Sequence, residues 1–199
     1  MTTPIPFTRF ELGLLEKSLL RQAAESPNLT TDGVFSQTAE ALLADLFPSG
    51  FPMLTSSGSG SLEIIARLIR GAETEVIVPS FAFPTCATAF AATGARIRFA
   101  DIDPENLMLS TEAVAERVTP RTRAILLINY GGFTPPPTPL IAFAKKRGLL
   151  LIEDNAHGLG SSYNNQPLGT FGALSSVSFH STKNVSCGEG GALVVNDPK

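Results

Sequence analysis

Histidine and cysteine are scarce in this chain of 199 residues, which contains two of each. Cys86 and Cys187 lie far apart in the sequence and form no Cys-x-x-Cys pair, so the chain offers too few nitrogen and sulfur ligands for a zinc site. A chain of this length does not need a disulfide to fold, and we expect both thiols to be reduced. The sequence therefore disfavours metal chemistry and predicts a cytoplasmic protein.

Basic runs and long apolar runs are also missing. Fifteen Lys and Arg residues against eighteen Asp and Glu residues give a formal net charge of -3, and no basic stretch could follow a phosphate backbone. No segment reaches about 18 uninterrupted apolar residues, and the N-terminus has no apolar stretch behind a basic start. These absences argue against nucleic-acid binding, secretion and insertion into a membrane.

Apolar residues are present in the amounts that a folded domain needs. They make up 43% of the chain, with a mean hydropathy of +0.17. Short β-branched runs at 75–78, 96–100, 123–128 and 149–153 alternate with longer amphipathic runs. Strands that are apolar on both faces and joined by helices indicate a mostly parallel sheet that is covered on each side. The sequence predicts an α/β fold, a three-layer sandwich with a mostly parallel central sheet.

The flanks of this alternating region suggest how the chain is organised. Helical patterns over 11–24 and 37–47 come before it, and two strand-like runs at 173–179 and 191–195 follow it. We therefore expect an N-terminal helical segment over 1–48 and a large α/β domain over 49–199.

A Gly/Ser loop at 56–61 precedes a predicted helix over 62–70. The unpaired N–H groups at such a helix start can bind phosphate, or the loop can simply cap the helix, and the residues alone leave both readings open. No Gly-Lys-Ser/Thr follows, which excludes a Walker loop, and the third glycine of a dinucleotide fingerprint is missing.

Two charged residues come directly after predicted strands, where ligands gather in open α/β sheets. Asp154 ends the most apolar strand and is either a helix cap or a partner for a cationic group. Lys183 is either a solvated charge or an amine whose pKa is lowered so that it traps a carbonyl. No Gly-x-Ser-x-Gly elbow is present, so a serine hydrolase is disfavoured.

Taken together, the Gly/Ser loop, the Pro79–Phe83 run, the Asp154–His157 segment and Ser178 followed by Lys183 and Asn184 resemble one family. They are similar to the fold-type I sugar-nucleotide aminotransferases of the DegT family, which depend on pyridoxal 5'-phosphate (PLP). Residues 179–184 and 187–192 are most similar to members that make dTDP-4-amino-4,6-dideoxygalactose. The resemblance implies amino transfer from an amino acid, glutamate, to a nucleotide-linked 4-keto-6-deoxy sugar. It also implies a cytoplasmic homodimer that serves cell-surface polysaccharide biosynthesis.

The same resemblance assigns roles to individual residues. Lys183 would bond PLP covalently and move the proton during transfer, and Asp154 would pair with the pyridinium nitrogen. Phe83 would stack on the cofactor ring, and His157 would lie near its phenolic oxygen, at a position where many relatives carry glutamine. The residues that match phosphate-binding positions are Ser59, Gly60 and Ser178. The pair Asp101 and Asp103 matches a family turn, so we interpret it as structural rather than as a metal site.

The resemblance also leaves alternatives. Relatives continue into a smaller C-terminal domain that we expect to be absent from this chain, so a non-catalytic PLP-binding remnant, or a partner of a complete protomer, is a second hypothesis. A dehydratase on the same fold is a third. Such dehydratases tend to replace the lysine, and the presence of Lys183 favours amino transfer.

Overall fold

The computed structural model describes residues 4–6, 8–9, 11–28, 30, 32–71 and 73–197. Seven residues of the predicted N-terminal segment (1–3, 7, 10, 29 and 31), residue 72 and residues 198–199 lie outside these ranges. The helices are α1 (Leu14–Glu25), α2 (Val34–Leu46), α3 (Gly58–Leu68), α4 (Thr85–Ala91), α5 (Thr111–Arg117) and α6 (Thr138–Arg147). The strands are β1 (Phe51–Thr55), β2 (Glu75–Pro79), β3 (Arg96–Ala100), β4 (Thr122–Ile128), β5 (Leu150–Asp154), β6 (Ser162–Tyr163), β7 (Gln166–Pro167), β8 (Leu174–Ser178) and β9 (Gly191–Val195).

Seven strands form one mixed sheet in the order β1-β9-β8-β5-β4-β2-β3. The pairs β2 with β3, β2 with β4, β4 with β5 and β5 with β8 are parallel. β9 runs antiparallel to both β8 and β1. The helices α4, α5 and α6 lie in the connections between the parallel strands β2, β3, β4 and β5. This topology confirms the predicted α/β fold with a mostly parallel sheet.

The alternation of side chains along the strands creates two buried faces. On β4, Leu126 packs in a cluster with residues of α3 and α4, whereas Ile125 packs with residues of α5 and α6. The second face extends to β8 and β9, where Val177 lies in a cluster with Leu43 of α2. Helices therefore cover both faces of the sheet, as a three-layer sandwich requires.

Helix α3 begins four residues earlier than the apolar pattern predicts, at Gly58 rather than Leu62. Ser57 caps it, because the Ser57 Oγ accepts a hydrogen bond of 3.0 Å from the Gly60 N–H. The first turn consists of glycine and serine, so it lacks the periodic apolar residues by which a helix is predicted from sequence. The Gly/Ser loop of the sequence is thus the first turn of the helix itself.

The two N-terminal helices differ in how they join the rest of the chain. None of the residues of α1 is buried, whereas α2 buries Leu43 and is followed by the buried Phe47. These two side chains pack against β8 and β9. A boundary at residue 48 stays a prediction.

Three smaller features complete the fold. Cys86 and Cys187 are both free thiols.

Asp103 accepts hydrogen bonds from the Glu105 N–H and from Asn106 Nδ2, at 2.8 and 3.1 Å, as a turn residue does. Within the described ranges, no helix combines the length and the apolar character that crossing a membrane requires.

Candidate functional site

A cavity of about 610 Å³ opens at the carboxyl edge of the parallel strands, between the starts of α3 and α4 and the loop that follows β8. Parallel strands bring the residues that follow them to the same edge, so positions far apart in sequence meet here. The predicted site residues that line this cavity are Ser59, Phe83, Asp154, His157, Ser178 and Lys183.

Gly60 is the predicted site residue that the structure places elsewhere. It lines a smaller cavity of about 300 Å³ with residues of β1 and α3, and its N–H is already donated to Ser57 Oγ. A phosphate-binding role for Gly60 stays a prediction without support from this geometry.

Asp154 ends β5 with its side chain largely buried, at a relative exposure of 6%. Its Oδ2 accepts a hydrogen bond of 2.9 Å from Cys86 Sγ, and its Oδ1 accepts one of 3.0 Å from the Ala156 N–H. Both donors are neutral, and Asp154 takes part in none of the ion pairs formed by the described residues. A buried carboxylate of this kind is stabilised by a cation, and the cavity beside it has room for one.

His157 also lines the cavity, and its imidazole can donate a hydrogen bond. Burial lowers the pKa of His157, the nearby charge of Lys183 lowers it further, and Asp154 opposes both effects. The Gly131 N–H donates to His157 Nδ1 at 3.2 Å, so the proton of the neutral ring is on Nε2. The ring of Tyr130 packs edge-on against this imidazole, with 5.3 Å between the ring centroids.

The start of α3 forms a site suited to an anion. Ser176 Oγ donates to the Gly58 carbonyl oxygen at 2.9 Å, which joins the helix start to β8. A Cβ on Gly58 would lie 2.8 Å from the Ser178 Cβ, so glycine allows this close approach. The hydroxyls of Ser59 and Ser178 thereby line one cavity at the positive end of a helix of 11 residues.

Lys183 is carried by the loop between β8 and β9, and this loop is closed by backbone hydrogen bonds. The Ser181 N–H donates to the Gly188 carbonyl, and the Cys187 N–H donates to the Phe179 carbonyl, at 2.9 and 3.0 Å. Asn184 Nδ2 donates to the carbonyl of Leu159 at 2.6 Å, which ties the loop to the segment after β5. These contacts hold the lysine at the cavity that Asp154 also lines.

Two aromatic residues, Phe83 and Tyr130, also line the cavity. The side chain of Phe83 is 67% exposed and stands on the segment between β2 and α4. Phe81, two residues before it, packs against the ring of Tyr130 with 4.9 Å between centroids. Phe83 thus offers a free ring face to a flat ligand.

Some residues of the site are absent from the sequence-based prediction. Tyr130 follows β4 after a single residue, so the strand-end rule that pointed to Asp154 could also have found it. Cys86 shows no comparable local signal, because its partner Asp154 lies 68 residues away in the chain. Only the folded structure brings these two side chains together.

Known proteins are similar to this chain in sequence and in fold. The DegT/DnrJ/EryC1/StrS aminotransferase family matches residues 12–199. A curated relative, the dTDP-4-dehydro-2,3,6-trideoxy-D-glucose 4-aminotransferase of Saccharopolyspora spinosa, is 37% identical over 145 residues, which are 72% of this chain and 38% of the relative.

Solved structures show the same architecture. Helicobacter pylori PseC, an aminotransferase involved in the biosynthesis of pseudoaminic acid, has a TM-score of 0.91 and 26% identity, over 97% of this chain and 52% of that one. Escherichia coli GDP-4-keto-6-deoxy-D-mannose-3-dehydratase with bound hydrated PLP has a TM-score of 0.87 and 29% identity, over 96% of this chain and 51% of that one.

The chain therefore spans about half the length of these solved structures and 38% of the curated relative. The family match covers nearly the whole chain, and it agrees with the fold and with the resemblance carried by the site segments. The chain belongs to the DegT/DnrJ/EryC1/StrS aminotransferase family.

Proposed function

We propose that this chain binds PLP in the cavity at the carboxyl edge of its sheet and takes part in amino transfer to a nucleotide-linked sugar. The observation that carries the proposal is the uncompensated, buried carboxylate of Asp154, which shares one cavity with the amine of Lys183. A cationic ring nitrogen would compensate this carboxylate, and a carbonyl would react with the amine.

The other groups of PLP also find partners among the residues present. Its phosphate suits the start of α3, where Ser59 and Ser178 present hydroxyls beside the helix N–H groups. Its planar ring suits the exposed face of Phe83, and its phenolic oxygen suits the Nε2–H of His157. These four pairings support PLP as the ligand of the cavity.

PLP, when bound, supplies a ring that withdraws electrons from the carbon at which the amino group is exchanged. The carboxylate of Asp154 keeps the ring nitrogen protonated, which maintains that withdrawal. Lys183 Nζ would take the proton from the α-carbon of the amino donor and deliver it to the cofactor carbon at which the amino group is exchanged. The neutral Nε2–H of His157 donates a hydrogen bond without adding a positive charge beside Lys183.

For the substrate we propose a nucleotide-linked 4-keto-6-deoxy sugar, with glutamate as the amino donor. The Saccharopolyspora relative is named as a 4-aminotransferase of a dTDP-linked deoxy sugar, which supports this class. The similarity of residues 179–184 to makers of dTDP-4-amino-4,6-dideoxygalactose favours the galactose-type product. A homodimer, a cytoplasmic location and a place in polysaccharide biosynthesis are parts of the same proposal.

Two other functions give different expectations. The similarity to the E. coli dehydratase shows that this fold is found with sugar dehydration, but Lys183 favours transfer of an amino group. A non-catalytic PLP-binding protein would bind the cofactor and leave glutamate unchanged.

A spectroscopic experiment tests the proposal. The chain is mixed with PLP, and its visible absorption is recorded before and after glutamate is added. We expect the band of lysine-bonded PLP, and its conversion to the pyridoxamine form by glutamate. Lys183→Ala should lose both signals, and Lys146→Ala, on α6, should keep them. Binding without conversion would favour the non-catalytic protein, and absence of binding would contradict the proposal.

A further inference from the structure

Cys86 is a buried thiol that contacts the Asp154 carboxylate but does not line the cavity. It is the second residue of α4, and its side chain is fully buried. Its apolar neighbours belong to the cluster that includes Ile65, Val78 and Phe90. Its Sγ donates a hydrogen bond of 2.9 Å to Asp154 Oδ2.

A buried cysteine usually acts as a small hydrophobic side chain, but this contact gives Cys86 a polar role. Burial raises the pKa of the Cys86 thiol well above its usual range, and the charge of Asp154 raises it further. The thiol therefore stays protonated, and towards the carboxylate it acts only as a donor.

The two hydrogen bonds of Asp154 together restrain its carboxylate. The Cys86 thiol of α4 donates to Oδ2, and the N–H of Ala156, two residues after Asp154, donates to Oδ1. Each oxygen keeps a further lone pair, and the side chain lines the cavity. Because both donors are neutral, they set the orientation of the carboxylate and leave its negative charge for a ligand.

We propose that Cys86 is a positioning residue, whose thiol holds the Asp154 carboxylate in the orientation in which it meets the cationic ring nitrogen of the cofactor. This inference rests on the proposed function, since PLP is the ligand that the carboxylate serves. Cys86 does not line the cavity and acts only through Asp154. Without the thiol, the carboxylate can turn about its side-chain bonds and must be reordered when the cofactor binds.

Two substitutions of nearly equal size separate this role from packing. Cys86→Ala removes both the sulfur and the donor, whereas Cys86→Ser removes the sulfur but keeps a donor. In a titration of the chain with PLP, we expect Cys86→Ala to raise Kd roughly tenfold and Cys86→Ser to stay within about threefold of the unchanged chain. Val114→Ala, which truncates a buried side chain of α5 on the other face of the sheet, is the control for packing and should leave Kd unchanged. Equal weakening by Ala and Ser would show that Cys86 only fills space, and would overturn the inference.

A double-mutant cycle asks whether Cys86 acts through Asp154. Asp154→Asn removes the charge that the thiol is proposed to orient. In that background, Cys86→Ala should change the Kd for PLP by less than about twofold, because the pairing of the carboxylate with the ring nitrogen is already lost. If Cys86→Ala weakens binding tenfold in both backgrounds, its effect does not pass through Asp154, and the inference is wrong.

The hydrogen bond itself can be measured without cofactor. The infrared S–H stretching band of Cys86 is identified by its loss in Cys86→Ser. It should move to higher frequency in Asp154→Asn, since an amide oxygen accepts more weakly than a carboxylate. An unmoved band would overturn the inference. Failure of the unchanged chain to bind PLP would instead contradict the proposed function, and the infrared band would still decide whether the thiol contacts Asp154.

Discussion

Lys183 carries the most specific chemistry of the proposed site, because the loop after β8 presents its amine at the cavity that Asp154 also lines. Other lysines, such as Lys145 and Lys146, stand in the last turn of α6, which covers the opposite face of the sheet. We predict that borohydride reduction of the PLP complex labels Lys183, and peptide mapping by mass spectrometry checks it. A pyridoxyl group on Lys145 or Lys146 would contradict the assignment.

Asp154 provides a second test at the scale of a residue. Asp154→Asn keeps the shape and one acceptor oxygen, but an amide cannot hold the ring nitrogen protonated. Loss of a charge pair in a desolvated site costs on the order of 2–5 kcal/mol, so we predict a roughly 30- to several-thousand-fold slower reaction of PLP-bound chain with glutamate. Stopped-flow absorbance measures the rate, and thermal unfolding controls for the fold. An unchanged rate would mean that Asp154 is only a cap.

Local sequence predicted part of this site, and the reasons are physical. Asp154 ends the apolar strand β5 and Lys183 lies in the loop just beyond β8, and the ends of strands are visible in sequence. The family resemblance assigns both Ser59 and Gly60 to phosphate binding, but successive residues of a helix point about 100° apart. Since α3 already begins at Gly58, the two residues line different cavities. The contact of Cys86 with Asp154 depends on how α4 crosses the sheet, and no local pattern records that.

Among the elements, the close contact of α3 with β9 sets where the helix starts. A Cβ on Gly191 would lie 2.5 Å from the Gly58 nitrogen and from the Ser57 carbonyl oxygen, both of which are backbone atoms that cannot easily move. We predict that Gly191→Ala displaces the start of α3, lowers the free energy of unfolding by about 1–3 kcal/mol and weakens PLP binding. Denaturant unfolding and PLP titration measure the two effects.

Gly60→Ala is the matched control for this prediction. Gly60 lies on α3, the helix that Gly191 approaches. Its added Cβ would meet Ser56 Oγ at 3.2 Å, and this atom is the end of a small side chain. Alanine is also the better helix former, so stability should be kept or slightly raised. If the two alanine variants behave alike, the approach of Gly191 to α3 does not position the helix.

A buried carboxylate, Glu75, lies at the amino end of β2, opposite the carboxyl edge that forms the cavity. Glu75 on β2 accepts hydrogen bonds from Thr119 Oγ1 at 2.6 Å and from Arg121 Nε at 3.0 Å. The hydrogen bond from Thr119 is the largest effect that lowers the pKa of Glu75, burial opposes it, and the two neighbouring arginines, Arg121 and Arg98, lower the pKa further. The charged form of Glu75 therefore stabilises the folded state.

This lowered pKa leads to a pH-dependent prediction. At pH 7, Glu75→Gln should reduce the free energy of unfolding by about 1.5–3 kcal/mol, because hydrogen bonds to a charged acceptor are lost. The stabilisation is fully present above the unfolded-state pKa of about 4.3 and is lost as pH falls through the folded-state value. Urea unfolding from pH 7 to pH 3 should show the two chains converging. Glu116→Gln, at an exposed position of α5, should change little at any pH, and a constant difference for Glu75→Gln would contradict the prediction.

The elements also show which parts of the fold are readable from sequence. β2 to β5 were predicted to within about one residue at each end, because buried parallel strands are continuous apolar runs. The strand-like run at 191–195 also predicted β9, but its antiparallel direction and its pairing with β1 depend on contacts between distant segments. The short pair β6 and β7 was missed, although Asn164 and Asn165 between them, both at positive φ, are residues typical of such a turn.

At the scale of the whole molecule, α3 and α4, which pack on one face of the sheet, are the described α-helices that contribute residues to the cavity. The start of α3 contributes the candidate anion site, Phe83 stands just before α4, and the thiol of Cys86 on α4 contacts Asp154. The helices α5 and α6 cover the other face through a separate apolar cluster. Stability depends on both faces, whereas cofactor binding should depend more strongly on the first.

Two core substitutions of similar size test this division. Ile65 of α3 and Leu140 of α6 are both buried, in the clusters on opposite faces of the sheet. We predict that Ile65→Ala and Leu140→Ala each lower the free energy of unfolding by about 2–5 kcal/mol, because each leaves a cavity. At a temperature where both variants remain folded, Ile65→Ala alone should raise the Kd for PLP, since Ile65 packs the helix that carries the anion site onto the sheet. Equal losses of PLP affinity, measured by titration, would show that the two layers act as one unit.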